Sequence, residues 1–224
     1  MGLGAFINGA VSVISSCIGT VGKVIGDFAA SIITRIPPLD IPKTLEIIRL
    51  IANVAELIAD LLGVTERGES AEELGAKAMA GDKKMDDFKS TDEYLEYLRK
   101  EVRLDQQKQN EMTSEERIAS AAVGIAILSR GIEEKKDILI PSDFWVEVGK
   151  QNMKGEEVRT YLDNFKSGGF SELKLADFLK GNLPMTELRL MGTVVEQTLR
   201  KLNPELSDDA IQEKLSEMMH ISRG

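Results

Sequence analysis

"GAFINGAVSVISSCIGTVGKVIGDFAASIITRI", residues 4–36, decides how this chain is read. Ile7, Val11, Ile14, Ile18, Val21, Ile25, Phe28 and Ile32 recur at alternating intervals of four and three residues. That interval returns each side chain to one face of an α-helix. A strand needs strict alternation, which holds only in fragments such as Val11-Ser12-Val13. The spacing predicts one long helix over residues 3–34. Pro37 and Pro38 end it, because the residue before a proline is pushed out of the α region. A second helix is predicted over 42–64, where Ile47, Ile51, Val54, Ile58 and Leu61 keep the same rhythm. Together they read as an apolar helical hairpin.

Small residues run beside the apolar seam. Gly22, Gly26 and Ala30 stand four apart, as do Ser12, Ser16 and Thr20. Side chains of this size let helix backbones approach closely, the logic of a glycine zipper. The cost is intrinsic helicity: Gly4, Gly9, Gly19, Gly22 and Gly26 each lose about 1 kcal/mol relative to alanine. The segment must therefore gain its stability from neighbours, whether its own domain, further copies or lipid. The expected self-association or membrane face is Ile7, Val11, Ile14, Ile18, Val21, Gly22, Ile25, Gly26, Phe28, Ala30 and Ile32. Lys23 and Asp27, at i and i+4, neutralise one another in any of these settings.

No charged side chain precedes Lys23, so residues 1–22 meet the length of a membrane span. Five of them are Gly and five are Asn, Ser or Thr, however, which leaves the stretch only moderately apolar. A classical signal peptide is not expected, since the basic n-region is missing. Glu46, Arg49, Glu56 and Asp60 make the second helix amphipathic, suited to lying on a surface rather than spanning a bilayer.

Beyond Val64 the chain turns polar. Residues 1–64 carry a net charge of -1 of the total of -9. Three segments are predicted from this shift: a hairpin over 1–64, a polar helical connector over 65–112 and an acidic helical domain over 113–224. Capping boxes mark helix starts at Ser70 with Glu73, Ser90 with Glu93 and Thr113 with Glu116. "AGDKKMDDFKST" and "DQQKQNEM" read as loops. The helix from about 114 to 130 contains "IASAAVGIAIL", apolar nearly all round and so expected at the centre of the C-terminal core, with Gly131 as its stop. Helices are further predicted after Pro141 and at about 155–165, 171–180, 185–202 and 207–219. "DILIP" is the best strand candidate and is short. The class is all-α.

Chemistry is sparse. One cysteine, Cys17, excludes an intramolecular disulfide, and one histidine, His220, leaves no Cys/His metal set. A pI of about 4.9 and aromatics at 5% argue against nucleic acid, which needs clustered cations and stacking platforms. "DNFKSGGFSELK", 163–174, resembles an EF-hand loop at Asp163, Ser167 and Gly168. It places Phe165 and Lys174 where oxygen ligands are required, so calcium is not expected. No nucleophile elbow, phosphate loop or dinucleotide fingerprint occurs. The expectation is a non-enzymatic protein without cofactor. One form is a membrane-active helical protein, a pore-forming effector or delivery component whose N-terminal helix self-associates. The other is a structural subunit of a symmetric assembly such as a phage tail or secretion apparatus. Expected partners are copies of the chain or other proteins, with a bilayer in the first case.

Overall fold

The seam that predicts one long helix builds two arms that face each other across a short third helix. In the computed structural model, which describes residues 2–37, 40–66 and 68–224, the first three helices are α1 (Leu3–Ser16), α2 (Ile18–Val21) and α3 (Lys23–Arg35). Cys17 leaves helical geometry at φ -101°, ψ 9°, with its N–H turned back to the Ile14 carbonyl at 3.0 Å. Gly22 adopts φ +85°, ψ 152°, a backbone conformation open to glycine without a Cβ penalty. The chain reverses across these two positions and α3 packs on α1. Phe6, Ala10 and Ile14 of α1 and Ile25, Ala29, Ile32 and Ile33 of α3 are buried. The single helix over 3–34 is thus corrected to a broken one. Its end is at Arg35, with Ile36 already extended at φ -63°, ψ 134°; Pro38 of the expected stop lies outside the described residues.

The chain divides into two compact units, residues 1–135 and 136–224. This differs from the boundaries read at 64 and 112. The first unit adds α4 (Ile41–Leu61), α5 (Ala71–Ala80), α6 (Thr91–Lys100), α7 (Gln106–Glu111) and α8 (Ser114–Lys136), the last of which ends one residue past the division. Asp40 caps α4 by accepting the Lys43 N–H at 2.8 Å, and Pro42 sits in the first turn where no N–H partner is needed. α5 packs against α2, α4 and α6.

Helix α8 belongs to this unit, rather than to a C-terminal core. Residues 118–129 are buried without interruption. The reason lies in two glycines. A Cβ on Gly124 would stand 1.8 Å from the Ala71 carbonyl oxygen, and one on Gly75 would stand 1.8 Å from the Ser120 carbonyl oxygen. α5 and α8 therefore cross backbone to backbone. Gly131 is a third contact, its absent Cβ replaced by Val64 Cγ1, so it lies inside a helix that runs on to Lys136 and is not a stop.

The second unit holds α9 (Ser142–Lys150), α10 (Gly155–Ser167), α11 (Leu175–Lys180), α12 (Met185–Leu202) and α13 (Asp208–Arg223). α10 packs on α12, and α11 packs on α9, α12 and α13. Its core is aromatic, with Phe144 and Trp145 edge-to-face at 5.6 Å and Phe165 between Tyr161 and Phe170. "DILIP" contributes one parallel bridge, Leu139 to Glu172, and no longer strand is present among the described residues.

Candidate functional site: the N-terminal segment and the clefts beside it

The charge-free stretch that singled out the N-terminus forms α1 and α2. On α1, Ser15 Oγ donates to the Val11 carbonyl at 2.9 Å and Ser16 Oγ to the Val13 carbonyl at 2.7 Å, so both hydroxyls are satisfied within their own helix. Gly9 rests on the Glu115 side chain, the nearest atom 3.1 Å from an added Cβ. Thr20 Oγ1 bonds the Cys17 carbonyl at 2.8 Å and the Met79 carbonyl at 3.3 Å, which ties α2 to the end of α5.

The expected self-association face does not form one outward surface. Ile14, Val21, Gly22, Ile25, Gly26 and Ile32 are buried, and Ile7, Val11, Phe28 and Ala30 are partly covered. Ile18 alone among the eleven is exposed. Gly26 packs on side chains of the same chain: Ile18 and Ile14 stand 3.3 and 3.6 Å from a Cβ built there. Of the small-residue run, Gly26 is thus covered by α1 and α2, Gly22 lies against Lys84 and Asp86, and Ala30 is partly covered. What remains outside on α1 is a second small face of Gly4, Ala5, Asn8, Ser12, Ser15 and Ser16, all exposed and none charged.

One cleft opens between this segment and its neighbours, and a second lies next to it between α4, α5, α7 and α8. The larger, about 670 Å³, runs past Val13 and Cys17, Met79 of α5, Met112 at the end of α7 and Ser120 of α8, and is also lined by Arg103 and Lys108. Ser120 is buried, and its Oγ has Met79 Sδ as a weak partner at 3.8 Å. The smaller, about 470 Å³, is polar and contains Arg49, Glu56, Glu72, Glu73 and Arg117. Both share Gln109 and Met112, because α7 lies over them. The segment "DQQKQNEM", expected as a loop, is this helix. Asp105 caps it through the Gln107 N–H at 2.9 Å, and Arg117 holds it by donating to the Gln109 carbonyl at 3.1 Å while pairing with Glu72 at 2.8 Å.

Glu56 is the one carboxylate here whose environment opposes its charge. Its oxygen accepts the Ala71 N–H at 2.6 Å, capping α5 from a neighbouring helix. Burial holds its pKa above the usual carboxylate value, and that hydrogen bond offsets only part of the effect. The sequence gives a partial signal for it, Glu56 with Asp60 on one face of an apolar helix, but nothing that names its partner.

The other candidate chemistry is dispersed. Cys17 is a half-buried free thiol and His220 is exposed on α13. Asp163 of the EF-hand-like loop is paired with Lys136 at 2.6 Å, and Lys174 lies near Glu172 and Glu187. Among the described residues no three His, Cys, Asp or Glu side chains are grouped to hold a metal ion. No helix of the described residues is long and apolar enough to cross a membrane. No family model, no curated protein and no solved structure matches this chain.

Proposed function

We propose that this chain is a non-enzymatic helical subunit of a protein assembly, and that α1 is the helix through which copies associate. The observation that carries the reading is the outer face of α1. Gly4, Asn8, Ser12 and Ser16 are exposed at four-residue intervals, with no charge and no large side chain among them. A helix face meant only for water normally carries Lys, Glu or Arg. A small, uncharged face lets a second helix approach closely, and the hydroxyls of Ser15 and Ser16 are already bonded internally and cost little to cover.

A membrane-associating form is the second reading, favoured by the absence of charge before Lys23. α1 and α3 have 14 and 13 residues, roughly 20 Å each at 1.5 Å per residue against a hydrocarbon core of about 30 Å. In this form the breaks at Cys17 and Gly22 straighten, or the segment lies at the interface.

One variant separates the two readings. Ser12→Glu with Ser16→Lys places charge on the outer face of α1 and disturbs no buried contact. Light scattering of the full chain is expected to give an oligomer for the wild type and a monomer for the variant. A monomeric wild type that releases dye from anionic vesicles, with release lost in the variant, favours the membrane form. A monomer without vesicle activity defeats both.

A further inference from the structure

Among the described residues, Glu147 is the only buried carboxylate, with none of its surface exposed. It lies on α9, in the second unit. Ser222 Oγ donates to its Oε1 at 2.9 Å, and Gln151 Nε2 reaches its Oε2 at 3.4 Å. Lys150 Nζ and Lys180 Nζ stand 3.9 and 4.0 Å from Oε1. Lys150 also donates to the Ser222 carbonyl at 3.2 Å, and Gln151 to the Met218 carbonyl at 2.9 Å. Glu147 itself, Lys150 and Gln151 each therefore bond the last two turns of α13, while Lys180 of α11 flanks the carboxylate.

The pattern of α13 explains why that matters. Its buried residues are Ile211, Leu215, Met218 and Ser222, spaced four, three and four. The fourth position of this seam is a serine where an apolar residue would complete the packing. Beside it, Ile221 is 38% exposed. Turning the last turn by one residue, about 100°, would bury Ile221 and expel Ser222. Apolar burial alone favours that alternative. It would leave Glu147 buried without its hydroxyl partner, and a buried charge stripped of a partner is costly.

We propose that Glu147 reads the Ser222 hydroxyl and so fixes the rotational register of α13 on α9 and α11. The arrangement acts as a single buried polar residue does in a coiled coil, where it gives up stability to select one packing. The latch joins the helix end to α9 through one hydroxyl, one lysine and one amide, so it opens locally while the rest of α13 stays docked through Ile211 and Leu215.

Native-state hydrogen exchange of the full chain tests this. In Ser222→Ala the amides of residues 218–223 are expected to exchange about tenfold faster, with α10 and α12 unchanged. Ser222→Val completes the apolar seam and is expected to exchange faster as well. The double variant Glu147→Met with Ser222→Val removes the unpaired charge and is expected to return protection toward the wild-type level. Glu147→Gln keeps an acceptor for the hydroxyl and is expected to lose less than Ser222→Ala. A Ser222→Val protein protected as well as the wild type would overturn the proposal, because apolar packing would then set the register. Additive losses in the double variant, or a loss spread evenly over α10 and α12, would overturn it too.

Discussion

Three glycines with the same cost in helix propensity do three different things. Gly124 is a point of backbone contact: an alanine Cβ would lie 1.8 Å from the Ala71 carbonyl oxygen. Neither helix can move aside without opening the core, so Gly124→Ala is expected to cost at least about 3 kcal/mol, read from the urea midpoint. Gly26→Ala meets Ile18 at 3.3 Å, and that side chain is partly exposed and can yield. The gain of about 1 kcal/mol in propensity offsets the crowding, so this variant is expected within about 1 kcal/mol of the wild type. Gly22→Ala is strained by φ +85° whatever the space around it, and a loss of about 1–2 kcal/mol is expected. The apolar spacing in the sequence picked out only part of the covered side: Ile14, Val21, Ile25 and Ile32 are buried, but so are Phe6, Ala10, Ala29 and Ile33, which stand off the seam. It could not show that the cover is the segment itself, because two arms facing each other have the same 4-3 rhythm as one straight helix. Likewise nothing in "ELGAKA" or "AVGIAI" distinguishes a glycine under a carbonyl from one that is merely tolerated.

At the scale of elements, local signals read true where the interaction is local. Ser70, Ser90 and Thr113 accept the N–H of Glu73, Glu93 and Glu116 at 3.1, 3.3 and 3.2 Å, as their spacing predicts. Caps supplied from other helices left no such trace. Glu134 of α8 accepts the Thr91 N–H at 3.0 Å, and Glu56 of α4 accepts that of Ala71. Two half-buried carboxylates of this unit, Glu69 and Glu56, respond to pH in opposite senses. Burial raises Glu69, but the Arg99 guanidinium, bonded to both its oxygens at 2.7 and 2.6 Å, outweighs this and holds its pKa low. The folded state then binds its proton less readily than the unfolded chain, whose value is about 4.3. Glu69 contributes stability above that pH and loses it as pH falls through the lower folded value. Glu56 is held high, so the folded state binds its proton more readily. Its charge opposes folding once pH rises past about 4.3, and fully so above the folded value. Glu56→Gln keeps an acceptor for Ala71. It is expected to be more stable than the wild type at pH 7, with the difference closing as the pH is lowered to 4 in urea titrations. Glu69→Gln is expected to show the reverse, with its deficit largest at pH 7 and shrinking below pH 4.

For the whole molecule, the all-α class was legible from helix formers, caps and the missing alternation, whereas the division of the chain was not. Composition changes at Val64, yet a composition change marks where burial ends along the chain, and not where packing ends in space. α5 packs on α2 and α4, and α8 meets α5 through Gly75 and Gly124, so a cut at residue 65 would strip the covering from both. Packing instead clusters within residues 1–135 and within residues 136–224. The segment 136–224 expressed alone is therefore expected to unfold in one cooperative transition, with the near-ultraviolet signal of Trp145 lost together with helicity. Beginning the chain at residue 65 is expected to give exposed apolar surface and aggregation instead. The same division sharpens the question of assembly, because α1 lies in the first unit. If α1 is the associating helix, light scattering should find the full chain oligomeric and the 136–224 segment monomeric at equal concentration. An oligomeric 136–224 segment would move the interface into the second unit, toward Met185 and Leu190, which are 66% and 64% exposed on α12, and would leave α1 outside it.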